Sequence, residues 1–573
     1  MDQSSNAICI VNIVHDGDYQ YEQEIPLGLA SLGSFMRVHG YPVTFHQCFA
    51  SRGEEELDSA ASQEATVYGF QLNMINFLSV LKTVEKIKAK RPDAIVVVGG
   101  PFLVSLANDI FRNEPLFDFV IVGEGEYTFL ELVQALGKKE PDYSVIKGLL
   151  WRDNTGKVRK NELRPLIEDL DTTPFPARDF LDNARRDPKD GGVMESIRII
   201  TSRGCAGKCS FCCVNFYNKV PNGKVWRGRS PKHVVDELEM LSNKFGAKLF
   251  NFSDSSFEDP GHVGKARSRD ICLEIINRKL PISFKIYMRC ETMKTDEDIE
   301  LLRMYKQAGI DVIILGVESG SDYELKLYGK NSTMADNART LNILRQLDLF
   351  YVFAGFIMFG PNSTIDTLCK NIEFLHDAGF ADNLYILSNT LMLIRDSKLY
   401  DTLNREGRVI ESGKFWELPK YTFLDKNVER IAKHWQNIIS RFPATKSLNT
   451  IQINTGNLIA RMTNLMNLPV LLALHDDFYQ FKAAFRILSD NFGKLQRDYF
   501  LNTVRLVEEE CSDEELTQSG VGFFDKTYNE YLPEYRDLYE GFLHKITTAG
   551  FGLSGLVFEH FYSAVTVKET ARI

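Results

Sequence analysis

Short apolar runs alternate with longer stretches of helical period over the first quarter of the chain. Ala7–Val14 is apolar throughout, as a strand buried on both faces would be. Pro26-Leu-Gly-Leu-Ala-Ser-Leu-Gly-Ser-Phe-Met36 follows with small and apolar residues at helical spacing, and Pro26 suits a first helical turn. Val43–Gln47, Thr66–Phe70, Asp93–Val98 and Phe119–Val122 read as further strands, with helices over Phe77–Lys90 and from Tyr127. Glycine-rich turns close the last two strands, Gly99-Gly100-Pro101 and Gly123-Glu-Gly-Glu126. The alternation predicts a doubly wound sheet, whose ligands lie beyond the carboxyl ends of its strands. His15, in the polar loop after the first strand, reads as plain surface.

A second alternating series begins near residue 195. Its strand-like runs are Ser196–Thr201, Leu249–Ser253, Ser283–Met288, Val312–Val317, Val352–Phe359 and Leu384–Ser388. Helical patterns at Pro231–Phe245, Lys265–Arg278, Asp296–Ala308 and Ala335–Leu347 separate them. Six such units predict a partial β/α barrel with its chemistry at the carboxyl ends of the strands. Between the two series lie a hairpin at Trp151–Gly156, a proline-broken stretch at Leu170–Asp179 and a charged loop at Arg185–Gly192. The remainder predicts amphipathic helices over Asn427–Arg441, Gly456–Met466, Asp477–Leu488 and Phe492–Glu509, and a capping box at Ser512–Glu515. The expected division is an α/β unit over 1–140, a linker over 141–194, a barrel over 195–410 and a mainly helical region over 411–573.

A chain of 573 residues is too long for one ordinary core. An apolar fraction of 44% with 25% charged residues is that of a water-soluble globular protein, and the net charge of −10 argues against coating nucleic acid. The longest apolar run, near Phe350–Gly360, is too short to span a bilayer, and Met-Asp-Gln-Ser-Ser carries no basic n-region of a secretory signal. Ten cysteines do not make a disulfide scaffold in a chain this long. A reducing, cytoplasmic setting is expected.

Three of those cysteines are clustered. Cys205, Cys209 and Cys212 stand at C-x3-C-x2-C spacing directly after the apolar run Ile197–Ile200, with Gly204 and Gly207 among them. A thiolate triplet this tight can wrap one corner of an iron–sulfur cube, with backbone N–H groups facing the anionic cluster and one iron left open. Two other readings stay open on residues alone: buried structural cysteines, and a zinc site with Cys213 as a strained fourth ligand.

Thr-Ser-Arg-Gly before the cysteines and Ser-Phe-Cys within them resemble the signature of radical S-adenosylmethionine enzymes. The resemblance implies a 4Fe–4S cluster on Cys205, Cys209 and Cys212, with S-adenosylmethionine chelated at the open iron and cleaved to a 5′-deoxyadenosyl radical. Asp254 resembles an acidic position near that cofactor, Glu318 and Ser319 match a recurrent G-x-E-S motif that contacts it, and Arg289 closes the third strand where a cation could meet a carboxylate. Upstream, Pro26-Leu-Gly-Leu, Gly99-Gly100-Pro101 and Gly123-Glu124-Gly125-Glu126 together resemble the cobalamin-binding domain fused to one large branch of these enzymes. The D-x-H-x-x-G signature of histidine-ligated cobalamin proteins is absent, so cobalamin is expected without a histidine from that motif, with Gln71–Asn76 passing beneath the cobalt and Asn73 nearest. Two turns depart from the family pattern, Pro361-Asn-Ser-Thr364 and Ile394-Arg-Asp-Ser-Lys-Leu-Tyr400, and Arg395 and Asp396 stand there as substrate contacts or an exposed ion pair.

The expected activity is methylation of an unactivated carbon by way of the 5′-deoxyadenosyl radical and methylcobalamin. The substrate would be a small molecule or peptide, and the electron would come from an external flavodoxin- or ferredoxin-type reductant, without nucleic acid or a membrane span. The alternatives are cyclisation, ring contraction or oxidation with the same cofactors, and a non-catalytic iron–sulfur carrier or sensor.

Overall fold

The computed structural model describes residues 7–14, 25–101, 103–184, 196–214, 224–441, 443–465 and 469–549. His15 and the Arg185–Gly192 loop lie outside the described residues.

The first series folds as β1 (Ile8–Val14), α1 (Leu27–Val38), β2 (Val43–Phe49), α2 (Glu54–Ala61), β3 (Val67–Gln71), α3 (Phe77–Lys90), β4 (Ile95–Gly99), α4 (Leu103–Asn113), β5 (Phe119–Ile121) and α5 (Glu126–Leu136). β2, β1, β3, β4 and β5 lie side by side in that order and run parallel. Each face is covered: Leu57, Phe77, Val80 and Ile110 pack beneath α2, α3 and α4, while Leu29, Phe35, Phe129 and Leu132 pack beneath α1 and α5. The order in which strands are added reverses between β1 and β3, and such a switch point opens a crevice beyond the strand ends. The hairpin β6 (Leu149–Arg152) and β7 (Val158–Lys160) is not a free linker element. Val120 pairs antiparallel with Leu150, so the hairpin seals the edge of β5 and carries this sheet to residue 160 rather than 140.

The linker then ties both halves together. Ser34 Oγ donates to the Phe175 carbonyl at 2.7 Å, and Arg37 pairs with Asp179 at 2.8 Å at the start of α6 (Asp179–Ala184). Arg178 meets Glu237 at 3.1 Å on the barrel side.

The second series gives β8 (Ile197–Ile199), a short ribbon of β9 (Ser202–Arg203) and β10 (Arg227–Gly228), then α7 (Pro231–Phe245), β11 (Leu249–Phe252), α8 (Gly261–Asn277), β12 (Ser283–Arg289), α9 (Asp296–Ala308), β13 (Ile310–Glu318), α10 (Asp322–Leu327), α11 (Met334–Leu347), β14 (Tyr351–Phe356), α12 (Ile365–Ala378), α13 (Leu384–Ser388) and α14 (Lys398–Arg405). β8, β11, β12, β13 and β14 form one parallel sheet in chain order. Local chemistry sets the helix starts: Ser230 caps α7 with Pro231 following it, and Thr295, Thr333 and Thr364 open α9, α11 and α12 with reciprocal capping boxes. Along β12, Phe284, Ile286 and Met288 are buried beneath the helices, so Lys285, Tyr287 and Arg289 face the lumen.

The expected sixth strand at Leu384–Ser388 is a helix. Asn383 Oδ1 accepts from the Tyr385 and Ile386 amides at 3.0 and 3.2 Å, and Leu384 and Leu387, three apart, are both buried. An apolar run this short fits either period, and the cap decides it. The sixth position is held instead by one parallel bridge, Phe359 with Thr390.

After the ribbon β15 (Val409–Ile410) and β16 (Lys420–Tyr421) come α15 (Lys426–Arg441), α16 (Pro443–Leu465), α17 (His475–Glu508), α18 (Asp513–Lys526) and α19 (Leu532–Thr548). They share a core with the barrel, in which Trp435, Phe492 and Phe500 join Phe359 and Leu368. The two helices expected over Asp477–Glu509 are one, because Gly493 fits a helix while letting the Ala381–Asp382 backbone approach: a Cβ there would stand 3.3 Å from the Asp382 amide. The capping box at Ser512 and Glu515 is present. Among the described residues no helix is long and apolar enough to cross a membrane.

Candidate functional site

A cavity of about 510 Å³ opens at the switch point of the first sheet. Gly28, Gly69 and Gln71, the turn Gly99–Gly100 and the turn Gly123–Glu124–Gly125 line one side. Gly123 is built at φ +97, and a Cβ there would meet nothing within 4 Å, so that turn faces open space where a large ligand can lie against bare backbone. The opposite wall comes from the barrel: Ile200, Ser202, Arg203, Gly204, Val214 and Ser253. This wall is the chain on either side of the cysteine loop. The loop Gln71–Asn76 departs from the sheet here, but Asn73 turns away from the cavity. Its Oδ1 accepts from the Ile75 and Asn76 amides at 2.9 and 2.7 Å, and Gln71 is the side chain from this loop that lines the wall.

Asp254, just past β11, fixes the approach to the cysteines. Its buried carboxylate accepts from the Thr201 and Ser202 amides at 2.7 and 2.9 Å and from the Thr201 hydroxyl. Burial raises this carboxyl, opposed by Arg267 and those donors. The side chain is therefore committed to holding the strand end. Gly204 follows at φ +87, and a Cβ there would lie 1.8 Å from the Val225 carbonyl oxygen. Gly204→Ala should displace the loop, at a cost of at least ~1–3 kcal/mol of backbone strain; a lowered Tm and lowered iron uptake would show it.

Cys205 and Cys209 bring their sulfurs to either side of Gly207, 3.3 and 3.8 Å from where its Cβ would stand. The Gly207 amide donates to Cys205 Sγ at 3.3 Å. Burial and then Asp259 push the Cys205 thiol up to about 12, while burial raises Cys209 against the pull of Lys330. Cys212 is raised by donating to Cys213, then by burial. Buried thiols of this kind become thiolates when a metal takes the proton's place. Among the described residues no three His, Cys, Asp or Glu side chains converge on one ion.

Charged groups surround the loop at the top of the lumen. Asp259 accepts from the Ala206 amide at 2.8 Å and pairs with Arg289 at 2.5 Å. Arg289 lies 3.4 Å from Glu291, and Arg289 Nε and Glu291 Oε2 are buried without partners. Glu318 ends β13 at φ +67, a left-handed conformation that a non-glycine residue adopts only where its surroundings impose it. Lys330 stands 3.6 Å from its carboxylate and donates to the Gly316 carbonyl at 3.1 Å. Two cations and three carboxylates, with polar atoms left over, suit the carboxylate and ammonium of an amino-acid group beside the cysteines. Ser319 does not join them. It is fully buried, donates to Glu324 at 2.7 Å and sits 2.9 Å from Asn371 Oδ1, so it holds the turn from behind. Lys330, Glu291 and Asp259 were not anticipated. Gly329-Lys330 is a visible signal, since that turn supports the cysteine loop through the Ser210 amide, which donates to the Tyr328 carbonyl at 2.7 Å.

Glu124 joins the two sites. Arg203 donates to it at 3.0 Å and Arg227 at 2.9 Å, the Ile167 amide donates at 2.7 Å, and Glu126 takes the other arm of Arg203 at 2.7 Å. Glu124 thus binds the glycine turn of the first unit to the residue two before Cys205. Arg395 plays no such part: it pairs with Glu411 and donates to the Phe415 and Glu417 carbonyls at 3.0 and 2.7 Å. Pro361-Asn-Ser-Thr364 is also structural, with Ser363 donating to Glu324 and Thr364 capping α12.

The model of the B12 binding domain matches residues 20–133, and that of the radical SAM superfamily matches 199–375. An uncharacterized methyltransferase of Pyrococcus horikoshii is 31% identical over 339 residues, covering 56% of this chain and 70% of that protein. The anaerobic magnesium-protoporphyrin IX monomethyl ester cyclase of Cereibacter sphaeroides is 30% identical over 294 residues, so this chain, half of which aligns, spans 45% of the cyclase. The solved structure of the cobalamin-dependent S-adenosylmethionine radical enzyme OxsB superposes with a TM-score of 0.67 at 19% identity, covering 98% of this chain and 82% of that one, a likeness of fold. With the glycine-walled cavity and the cysteine loop opening on each other, the chain belongs to the cobalamin-dependent radical S-adenosylmethionine enzymes, whose cofactors are a 4Fe–4S cluster, S-adenosylmethionine and cobalamin.

Proposed function

We propose that this protein is a C-methyltransferase acting on an unactivated carbon of a small-molecule or peptide substrate. When bound, the cluster and S-adenosylmethionine supply a 5′-deoxyadenosyl radical and cobalamin carries the methyl group. The supporting observation is the shared cavity. One space is walled by Gly99–Gly100 and Gly123–Gly125 on one side and by Ile200, Ser202, Gly204 and Val214 on the other. A substrate carbon presented from the barrel lumen into that space would be within reach of both cofactors. Cys205, Cys209 and Cys212 would hold the cluster, and Arg289, Lys330, Glu291 and Glu318 would orient the amino-acid group of S-adenosylmethionine. Gly99, Gly100, Gly123, Gly125 and Gln71 would form the cobalamin wall, with Glu124 holding its turn in place. Ala206 and Lys208 are exposed on the cysteine loop, a surface suited to a flavodoxin- or ferredoxin-type electron donor in a reducing cytoplasm.

The second reading is a cyclase, ring-contraction or oxidation enzyme with the same cofactors, favoured by the identity of 28–30% to three magnesium-protoporphyrin monomethyl ester cyclases. Product mass decides between them. Anaerobic protein reconstituted with iron, sulfide and cobalamin and given S-adenosylmethionine, a reductant and fractionated metabolites should add one methylene equivalent to a substrate. A product without that gain overturns methyl transfer, and no 5′-deoxyadenosine at all would leave a non-catalytic iron–sulfur carrier or sensor.

A further inference from the structure

The barrel lumen is polar where a closed barrel would be filled with aliphatic side chains. Strand pairing puts Arg198, Asn251, Lys285, Val312 and Tyr351 in one layer, since Arg198 lies beside Asn251, Asn251 beside Lys285, Lys285 beside Val312 and Val312 beside Tyr351. Ile197 and Ile199 are buried in the core outside the sheet, so Arg198 faces inward like Lys285. The lumen above is not packed shut: Tyr287, Ile314 and Phe353, one step nearer the cysteine loop, each keep partial exposure.

Lys285 is the anomaly in this layer. It is partly buried, the charge that acts on it is another cation, Arg198, and among the described residues no carboxylate pairs with it. The Asn251 amide beside it has a buried oxygen without a partner, an acceptor, so only its amide nitrogen could serve an anion. An ammonium taken out of water without a counter-charge is costly. Burial and then Arg198 lower Lys285 from the ordinary lysine range, and an anion in the layer would oppose both effects. The layer lies four residues before Arg289 along β12, about 13 Å below the cluster level at ~3.3 Å per residue.

We propose that the floor of the barrel lumen is an anion subsite, in which Lys285, with Arg198 and Asn251 beside it, receives a phosphate or carboxylate group of the substrate. This rests on the reading of the lumen as the substrate's chamber. It names the substrate class as molecules with an anionic end about 13 Å, four strand residues, from the carbon that reacts.

The test uses the full-length reconstituted protein and two probes, inorganic phosphate and acetate. Calorimetric titration is paired with acetic-anhydride labelling of Lys285, read by peptide mass spectrometry. One probe should bind and slow the labelling. Lys285→Met should weaken it at least about tenfold, or about 1.4 kcal/mol, while Lys285→Arg retains binding. Phosphate alone assigns a phosphate-bearing substrate and acetate alone a carboxylate. Lys285→Met should also raise the Tm of the ligand-free protein, because an uncompensated buried charge is removed; a lysine kept for structure would lower it. The subsite is overturned if neither probe protects Lys285, or if the methionine variant binds as the parent does. Formation of 5′-deoxyadenosine by the parent, measured in parallel, reports on the radical chemistry alone, so the two readings fail separately.

Discussion

Cys205→Ala, Cys209→Ala and Cys212→Ala should each abolish reductive cleavage of S-adenosylmethionine, with iron and sulfide content falling in the same preparations. Burial holds the Cys205 thiol near 12 and raises Cys209, so neither is a thiolate until iron displaces its proton. With one sulfur gone, the loop offers two anchors to a cube that needs three. Even losses around an intact ligand set cost about 10–100-fold, so loss of a ligand should exceed ~100-fold in 5′-deoxyadenosine formed. Cys213→Ala is the control. Its thiol accepts from Cys212, which lowers it to about 7 against burial and Asp396, and it is the control because it lies outside the C-x3-C-x2-C spacing. That variant should keep iron, a visible spectrum and turnover. If instead Cys213→Ala is inactive and Cys212→Ala is not, the third ligand is one residue along. If all four variants cleave the cofactor as the parent does, the loop holds no catalytic cluster.

The cysteine loop and the two glycine turns are legible in the sequence, and the reason is local. Short-range spacing carries the cysteine loop, and the glycine turns Gly99–Gly100 and Gly123–Gly125 sit at strand ends because a doubly wound sheet puts loops there. What was hidden depends on which way a side chain turns. Asn73 and Gln71 are two apart in the same loop, yet one closes its own turn and the other lines the cavity. Ser319 adjoins Glu318 in one motif, but the left-handed backbone at Glu318 sends the carboxylate to the lumen and the hydroxyl into the Glu324 network. Asp254 carries the expected acidic character, with its oxygens spent on Thr201 and Ser202. Lys330 reaches the site from a turn twelve residues past Glu318, and no periodicity marks it. The run Leu384–Ser388 misled because four apolar residues and a serine fit either period and the deciding signal was the Asn383 cap. The polar lumen layer was invisible because it exists only once β8, β11 and β12 are in register.

Glu124→Gln should cost about 3–5 kcal/mol at neutral pH, the range for breaking a buried ion pair by removing one partner. The pair is well enclosed: the side chains of Glu124, Arg227 and Arg203 are 12%, 5% and 22% exposed. Arg203 would keep Glu126, whereas Arg227 would keep only the Ile167 carbonyl at 2.7 Å and lose its counter-charge. Burial alone would raise the Glu124 carboxyl, but Arg203 and Arg227 outweigh it and hold it below the ordinary carboxylate range. The folded form therefore binds this proton less readily than the unfolded chain. The pair's contribution is complete above the unfolded value of about 4.3 and is lost as pH falls through the lower folded value. Urea midpoints of parent and variant should differ most near pH 7 and converge in acid. A gap that persists in acid would mean that shape, not charge, is what glutamate supplies. The same variant should take up cobalamin poorly, since the turn carrying Gly123 and Gly125 would lose its hold on the segment leading to Cys205. Unchanged midpoint and uptake would show that the two cofactor units meet without this clasp.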